Sequence, residues 1–575
     1  MKINQITIIL ISILAPVGFL HISNYEKELY ISTAILFILL IFFRKYFFES
    51  DEENFKEIKI FNSKIFYFLI LFFLLITQNR YLNLETITWD VSSYLVASNE
   101  IKLGNIPLES QWESKGPLTI YIYYLLSKIT FSNYVFFKLL NDLILFTTII
   151  ITFAIFKKLD QRLLIRLLGC FFLVSVFSIH WFVSEFTEFY CLPLIALANY
   201  IFYSDKRFKN QLIGLLFGLS FLINQGSILL IFPLLLMLLK ESSSTSIFFK
   251  TLRDLLLTFS IPNIFFLLLY FRKGILNIYL ANYIQIPLGY TGENASSFYE
   301  LRVFLREISY INIFTYLFIV TMLFIYFINL LKDKNFKLNN FYNLINLNIL
   351  FSLFYYFLAG HNFYHHLIYF LYFFSFLVIK VDKKSQIFLI SSIVFLSSSM
   401  AFITTYNSAI KNLSNLTKTY NEYPLKQLAQ EIDGNFSGHY EVLALDFVLV
   451  LHYLDKTNYS YIVHPTNHFQ KYITDELIRL NKIKENNIVY LLSKKPDVII
   501  CNTMSIDAGG KVISTDPGDY GEDVKEESNH FCDINNFQKD YFQLDTSLYR
   551  IDSNLNYYYD PYKEMNVFIK NESSN

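Results

Sequence analysis

Apolar segments that approach the thickness of a lipid bilayer recur along most of this chain. A helix needs roughly 20 residues to cross the hydrocarbon layer, so shorter segments must borrow flanking aromatic residues or cross obliquely. Thirteen segments meet this description: 5–22, 28–43, 64–78, 134–156, 163–180, 187–203, 211–223, 227–239, 252–271, 309–331, 341–358, 365–380 and 386–404. The sequence therefore predicts an α-helical polytopic membrane protein with about 13 spans and the lipid bilayer as a partner.

The composition agrees with this class of protein. Of 575 residues, 54% are hydrophobic and 17% are charged, whereas a soluble domain carries roughly 25% charged residues. Residues 405–575 hold 24 acidic and 16 basic residues, a net charge of −8. An acidic segment disfavours binding to phosphate backbones, so no nucleic-acid partner is expected.

The distribution of basic residues predicts the orientation. If Met1 is cytoplasmic, the inner loops 44–64, 157–166, 204–210, 240–253, 332–337 and 380–384 hold 21 Lys or Arg in 63 residues. The two long outer loops, 78–133 and 272–308, hold four each in 93 residues together. Cytoplasmic loops carry the excess of basic residues, so we expect a bacterial inner or plasma membrane location with the C-terminal part periplasmic or extracellular.

Three regions follow from this topology. Residues 1–60 form an N-terminal transmembrane hairpin, because no small-residue cleavage site follows the first apolar run. Residues 61–405 form the transmembrane core, in which Asn224-Gln225-Gly226 predicts a tight hairpin between two segments. Within the first outer loop, a helix that starts at Pro117 is predicted to lie on the outer leaflet.

Residues 406–575 alternate short strands with helices, which predicts a small α/β domain. The predicted strands are 440–446, 459–464, 496–502 and 566–571, and the predicted helices are 447–456 and 467–485. Cys501 and Cys532 lie in this region, and their pairing is left open. Cys170 and Cys191 are predicted to be small buried residues of the spans.

The first outer loop carries the residues that suggest chemistry. Asp90 follows a span, and Glu113 and Lys115 directly precede the surface helix. A carboxylate just outside the bilayer is ionised at neutral pH and can act as a general base on a hydroxyl group. A lysine at the level of the headgroups can hold a lipid phosphate.

These motifs resemble the GT-C glycosyltransferases of the protein O-mannosyltransferase and aminoarabinose-transferase type. Those enzymes have an Asp in the first outer loop and then a K-P-P-L-like motif, which are similar to Thr88-Trp89-Asp90-Val91 and Lys115-Gly116-Pro117-Leu118. Phe186-Thr187-Glu188 is similar to the family's outer-face Glu, and Gly214, Gly218 and Asn224-Gln225 are similar to a G-x-x-x-G…K-Q segment. The run from Gly360 to His366 is similar to G-R-x-[FY]-x-H-Y, with His361, His365 and His366 at the Arg, His and Tyr positions. The resemblance covers roughly residues 60–405.

The resemblance implies an inverting transfer of sugar from a polyprenyl-phosphate donor to a lipid, glycan or protein acceptor on the outer face. Asp90 would be the catalytic base, and Lys115, His361 and His365 would bind the donor phosphate. Glu113, Glu188 and Gln225 would support the site. The departures at Val91, Gly116 and Asn224 put the activity of the site in question.

Structural roles for the same residues are the alternatives. Asp90 could cap the helix that begins near Val91, Lys115 could extend to the interface, and Glu188 could be a charge at the end of a span. The spacing of His361 and His365 suits a metal on one helix face, but no third ligand is visible, so no cofactor is expected and a divalent metal is not indicated.

The sequence leaves two functions of other classes open. A flippase or transporter of a lipid-linked saccharide should carry mid-span charges and inverted repeats, and the sequence shows neither. A non-catalytic scaffold of the cell envelope with the same fold is the other alternative, because the site departs from the family pattern.

Overall fold

A computed structural model describes most of the chain from residue 63 onward. The described residues are 63–85, 88–160, 162–179, 182, 185–204, 207–242, 244–292, 301, 304–305, 308–309, 311–332, 343–358, 363–381, 384–502, 532, 540–546 and 565–571. The predicted N-terminal hairpin and the loop segment that carries His361 lie outside these residues.

Helices dominate the described part of the chain, joined by short 3-10 turns. The helices are α1 Ser63–Gln78, α2 Trp89–Ala97, α3 Asn99–Lys102, α4 Pro117–Ile129, α5 Tyr134–Leu159, α6 Leu163–Phe177, α7 Thr187–Phe202, α8 Lys209–Ile223, α9 Ile231–Glu241, α10 Thr245–Arg272, α11 Leu276–Leu280, α12 Ile286–Gly292, α13 Ile313–Lys332, α14 Leu344–Leu358, α15 Ile368–Phe374, α16 Lys384–Ser414, α17 Leu416–Asn421, α18 Pro424–Gly434, α19 Leu449–Tyr453, α20 Lys471–Arg479 and α21 Asn487–Ser493.

Three of these helices are long and apolar enough to cross a membrane by length and composition. They are Tyr134–Leu159, Thr245–Arg272 and Gln386–Ser414. Eight further apolar helical segments have 10–17 fully described residues. Except for α13, which has 20 residues in all, they are short of the roughly 20 residues that a perpendicular span requires. The described residues are compatible with a helical membrane protein, but they support three full-length spans rather than the thirteen expected.

One side of α10 is apolar and exposed to solvent. Leu257, Ile261, Phe265 and Leu268 on this helix are each about 60% exposed, and its opposite side packs against α8. A contiguous apolar surface of this kind is costly in water and is normally covered by lipid or protein. This surface is consistent with a location in the membrane.

Several helix boundaries match the expectations and others differ. The surface helix begins at Pro117 as predicted, where the missing N–H and fixed φ of proline suit the first helical position. α8 ends at Ile223 and Asn224 is extended, so the predicted break is confirmed. α8 packs mainly on α7 and α10, and α9 packs on α14 and α10, so these helices diverge instead of forming a tight hairpin. The last long helix continues to Ser414, ten residues beyond the predicted end.

The C-terminal part contains a four-stranded mixed sheet. The strands are β1 Val442–Ala444, β2 Val498–Asn502, β3 Tyr541–Gln543 and β4 Met565–Lys570, in the order β1-β2-β4-β3. β1 and β2 are parallel, whereas β4 is antiparallel to both of its neighbours. The predicted strands at 440–446 and 496–502 are confirmed in shorter form, the one predicted at 566–571 begins one residue earlier, and β3 was not predicted.

The predicted strand at 459–464 is wrong, because this segment is not a strand of the sheet, although the Tyr459 N–H donates to the Val442 carbonyl of β1 at 2.9 Å. Ile462 forms an isolated parallel bridge with Trp112 of the first loop. The Trp112 N–H donates to the Tyr461 carbonyl at 2.6 Å, and the Val463 N–H donates to the Trp112 carbonyl at 3.3 Å. The extended backbone is therefore satisfied by a partner 350 residues away in the chain, which no local pattern reveals.

A disulfide joins Cys501 at the end of β2 to Cys532. Disulfides persist in oxidising compartments, so this bond is consistent with an extracytoplasmic location of the C-terminal part. Cys170 and Cys191 are buried free cysteines, as predicted.

Candidate functional site

Asp90 lies in the first turn of α2. The helix begins at Trp89 with Thr88 at the N-cap, so the alternative that Asp90 caps the helix is wrong. The Tyr94 hydroxyl, one turn further on, donates to Asp90 Oδ1 at 3.1 Å. The Asp90 side chain keeps 27% of its surface exposed, so its carboxylate can still be reached from outside.

His464 of the C-terminal part is the nearest charged partner of Asp90. Its Nε2 lies 3.5 Å from Asp90 Oδ1, and its Nδ1 is 2.9 Å from the Thr466 hydroxyl. Burial alone would raise the pKa of Asp90, but His464 and then Lys115 outweigh it and hold that pKa well below its usual range. Burial would lower the pKa of His464, yet Asp90 and Glu113 raise it above its usual value. The two groups therefore stabilise each other as a carboxylate–imidazolium pair.

Interactions between the first loop and the C-terminal part position this pair. The Trp89 indole N–H donates to Asp446 Oδ1 at 3.0 Å. The Gln111 side chain donates to the Asn458 carbonyl at 3.0 Å and accepts from the Asn458 N–H at 2.8 Å. Trp112 is fully buried beside them. Together with the bridge between Trp112 and Ile462, these contacts hold the segment that leads to His464 against the loop.

Glu100 and Glu113 are both buried acids of the loop, but they have different surroundings. The Glu100 carboxylate accepts backbone N–H groups from Leu108, Ser110 and Gln111, so it holds the loop in shape. Glu113 Oε1 accepts from the Ser114 N–H at 2.8 Å, while its Oε2 is buried with no hydrogen-bond partner among the described residues. Burial raises the pKa of Glu113. Its protonated form could donate the hydrogen bond that Oε2 lacks.

Lys115 supplies positive charge to the same cluster. Its ammonium interacts electrostatically with Asp90 and Glu113, and also with Glu188. No carboxylate in the described part of the chain lies within ion-pair distance of it. The Lys115 carbonyl accepts from Asn282 at 3.2 Å, so the backbone is held while the described residues offer the ammonium no ion-pair partner.

Gly116 lies against the backbone at the end of α8. Its N–H donates to the Ile223 carbonyl at 3.3 Å, and a Cβ at this position would lie 2.0 Å from the Leu222 carbonyl oxygen. The end of α8 therefore comes so close that only glycine fits. A second proline, as in the family motif, would collide with the same backbone.

Glu188 in the first turn of α7 is held by several hydrogen bonds. Its Oε1 accepts from the Tyr355 hydroxyl at 2.6 Å and from Asn224 Nδ2 at 2.8 Å, and Thr187 Oγ1 donates to Oε2 at 3.1 Å. The side chain is buried, so the alternative that it is a solvated charge at the end of a span is wrong. Asn224, which stands where the family has a basic residue, orients this carboxylate.

Two histidines stand beside Glu188. His366 Nε2 lies 3.6 Å from Glu188 Oε1, and the His365 ring stacks on Phe186 with centroids 4.0 Å apart. One ligand atom from each of Glu188, His365 and His366 lies within 4.8 Å of the other two. The sequence suggested no third ligand beside His361 and His365, whereas the structure groups His365 with Glu188 and His366. His361 lies outside the described residues.

Gln225 was expected to support the site together with Glu113 and Glu188. The structure describes no contact between Gln225 and the cluster. This residue begins the 3-10 turn after Asn224, and its Nε2 is buried with no hydrogen-bond partner among the described residues. Asp90, Glu113, Lys115, Glu188 and His365 are brought together. The sequence patterns did not predict that His464 and Tyr94 contact Asp90. They also did not predict that Tyr355 and His366 contact Glu188.

Neither the models of known protein families nor the curated protein sequences contain a match to this chain.

The cluster joins three kinds of group in one place. It has a partly exposed carboxylate beside the His464 imidazole, an ammonium with no ion-pair partner among the described residues, and a buried carboxylate with two imidazoles. Such an arrangement can accept a proton from a hydroxyl group and bind an anion nearby.

Proposed function

We propose that this protein is a membrane glycosyltransferase of the GT-C type, which transfers a sugar from a polyprenyl-phosphate donor to an acceptor hydroxyl on the outer face of the membrane. The acceptor would be a lipid, a glycan or a protein. The observation that carries the proposal is the accessible Asp90 carboxylate, paired with His464 and placed in the electrostatic field of Lys115.

Asp90 would act as the general base. Its lowered pKa keeps the carboxylate ionised at neutral pH, ready to accept a hydrogen bond from the acceptor hydroxyl. A weak base suffices when the proton moves late, after the new bond to the sugar has largely formed. The same low pKa lets Asp90 release the proton to water afterwards.

Lys115 would hold the donor phosphate, with His365 and His361 as further candidates. Negative charge develops on the phosphate oxygen that leaves the sugar, and a positioned cation stabilises that charge best where water is excluded. The absence of an ion-pair partner for Lys115 among the described residues leaves its ammonium available for this anion.

The reaction would be a direct displacement at the anomeric carbon. The bond from this carbon to the phosphate oxygen breaks, and polyprenyl phosphate leaves with the electron pair. The acceptor oxygen forms the new bond to the same carbon from the opposite side, and its proton passes to Asp90. Inversion of the anomeric centre follows from this geometry.

The membrane would supply proximity. The apolar surface of α10 and the short apolar helices are suited to a prenyl chain, which would confine the donor headgroup close to the cluster. The thirteen spans and the outward orientation expected from the basic residues belong to this proposal. In it, the C-terminal part completes the site by contributing His464.

Removal of the gene from the source cells tests the proposed function. Mass spectrometry of envelope lipids, glycans and proteins should show the loss of one sugar, and the wild-type gene should restore it. A complete set of sugars in the deletion strain would contradict the proposal. Accumulation of an unflipped lipid-linked precursor would instead identify a transporter.

A further inference from the structure

We infer that Glu188, His365 and His366 form a binding site for one divalent transition-metal ion of the zinc class. Three ligand atoms, one from each residue, lie within 4.8 Å of one another. Glu188 comes from the first turn of α7, while both histidines come from the 3-10 turn Tyr364–Leu367. Two separate segments therefore converge on one point.

The distances are close to those that a bound ion requires. Bonds of 2.0–2.1 Å in a tetrahedral zinc site place neighbouring ligand atoms about 3.4 Å apart. His366 Nε2 and Glu188 Oε1 are already 3.6 Å apart. The remaining separations, at most 4.8 Å, can close by small side-chain rotations.

The surroundings hold the ligands as metal ligands are usually held. Carboxylate ligands are typically fixed by hydrogen bonds from outer residues, and Tyr355 and Asn224 both donate to Glu188. The His365 ring stacks with two aromatic rings, Phe186 at 4.0 Å and Phe363 at 5.6 Å between centroids. This stacking restrains the orientation of the ring.

The other ring nitrogen of His366 is buried as well. His366 is 5% exposed, and its Nδ1 has no hydrogen-bond partner among the described residues. Buried polar atoms are almost always satisfied, by protein, water or an ion. A water molecule is therefore expected at Nδ1 when the ion is bound at Nε2.

The types of ligand indicate which cation fits. Two imidazoles and one carboxylate suit zinc and its neighbours in the first transition row better than magnesium or calcium, which prefer oxygen ligands.

Three protein ligands leave a coordination position open. A phosphate oxygen of the donor is the ligand that would take it, and this use of the ion, unlike the ion site itself, rests on the proposed function. Lys115 and the ion would then share the charge of the leaving phosphate.

Metal titration of the full-length protein tests the site without any donor lipid. The protein, purified in detergent with the affinity tag removed, is stripped with a chelator and titrated with Co²⁺, whose visible absorption reports its coordination. We expect uptake of one Co²⁺ per chain and its displacement by Zn²⁺. Failure of the wild-type protein to retain a stoichiometric ion would overturn the inference.

Variants assign the ion to these residues. His365→Gln, which changes the most exposed of the three ligands, and His366→Gln should each weaken Co²⁺ binding by more than tenfold, and Tyr355→Phe by about tenfold. His439→Gln, at an exposed histidine of the C-terminal part, is the matched control and should bind as the wild type does. Undiminished binding by both ligand variants would refute the assignment.

A thermal assay covers the case in which a ligand variant is poorly folded. Zn²⁺ should raise the melting temperature of the wild-type protein and of His439→Gln, and it should leave that of His365→Gln unchanged. An equal rise in all three would place the ion elsewhere. A chain that binds the ion but transfers no sugar would contradict only the proposed function, and one that transfers sugar without binding an ion would contradict only this inference.

Discussion

Replacement of His464 by glutamine tests the pair that links the C-terminal part to the first loop. The change removes the imidazolium 3.5 Å from Asp90 Oδ1 and leaves a neutral polar side chain of similar length. We expect a less stable protein, because Asp90 would lose the nearest charge that compensates its partial burial.

The distance between the two charges sets the size of the expected loss of stability. Two unit charges at 3.5 Å attract each other by about 5 kcal/mol at an effective dielectric constant of about 20. The cost of burying the ring, which is 11% exposed, offsets part of that attraction. We expect a net loss of about 2 kcal/mol in the free energy of unfolding. The melting temperature of the protein should therefore fall by a few degrees.

The pH dependence distinguishes an ion pair from ordinary packing. The pKa of Asp90 is lowered in the folded protein, so its contribution is present above the unfolded value near 3.9 and is lost as the pH falls through the folded value. The pKa of His464 is raised, so its contribution is full below the unfolded value near 6.5 and is lost as the pH rises through the folded value. The difference in melting temperature between wild type and variant should therefore be largest between about pH 4 and 6.5 and should shrink above that window.

Melting curves in detergent from pH 4.5 to 9 measure this difference. His439→Gln, which removes an exposed histidine, should melt as the wild type does at every pH. A His464→Gln difference that is constant over the range, or that grows at high pH, would refute the carboxylate–imidazolium pair.

Three other predictions concern the glycine contact, the disulfide and the phosphate-binding lysine. Gly116→Ala should cost about 1–3 kcal/mol of stability, because its Cβ would lie 2.0 Å from a backbone oxygen; the melting temperature reports this loss. Alkylation of the unreduced, denatured chain should label two cysteines out of four, because Cys501 and Cys532 are bonded. Lys115→Gln should weaken the binding of decaprenyl phosphate, measured by native mass spectrometry, by about 10- to 100-fold.

Each of these predictions has its own control. Gly438→Ala places a Cβ in open space and should not lower the melting temperature; equal losses for both glycines would contradict the close approach at Gly116. Labelling of all four cysteines without reduction would exclude the disulfide. Lys115→Arg should keep most of the binding, and wild-type affinity in Lys115→Gln would show that this lysine does not hold the phosphate.

Local sequence patterns were sufficient for much of the secondary structure. Pro117 marked a helix start, and Asn224-Gln225-Gly226 marked the break after α8, because proline and glycine act through their own backbone preferences. The alternation of strands and helices after residue 406 predicted three of the four strands. The fourth, β3, has two exposed residues out of three, so no apolar run marks it, whereas all three residues of β1 are buried.

Long-range contacts could not be predicted in the same way. The segment 459–464 has the composition of a strand, yet its partner is Trp112, far away in the chain. His464 gains its role only through this contact, so nothing in its neighbourhood singled it out. His361 and His365 were paired on the assumption of a continuous helix, whereas residues 364–367 form a 3-10 turn, which brings His366 to Glu188 instead.

The transfer activity of an Asp90→Asn variant is the most direct test of the central claim. The substitution keeps the size of the side chain and its hydrogen bond from Tyr94, but it removes the base. In deletion cells that express the variant at the wild-type level, mass spectrometry should find that the lost envelope sugar is not restored. Asp475→Asn, at an exposed acid of α20, should restore it fully. Full restoration by Asp90→Asn would contradict the account.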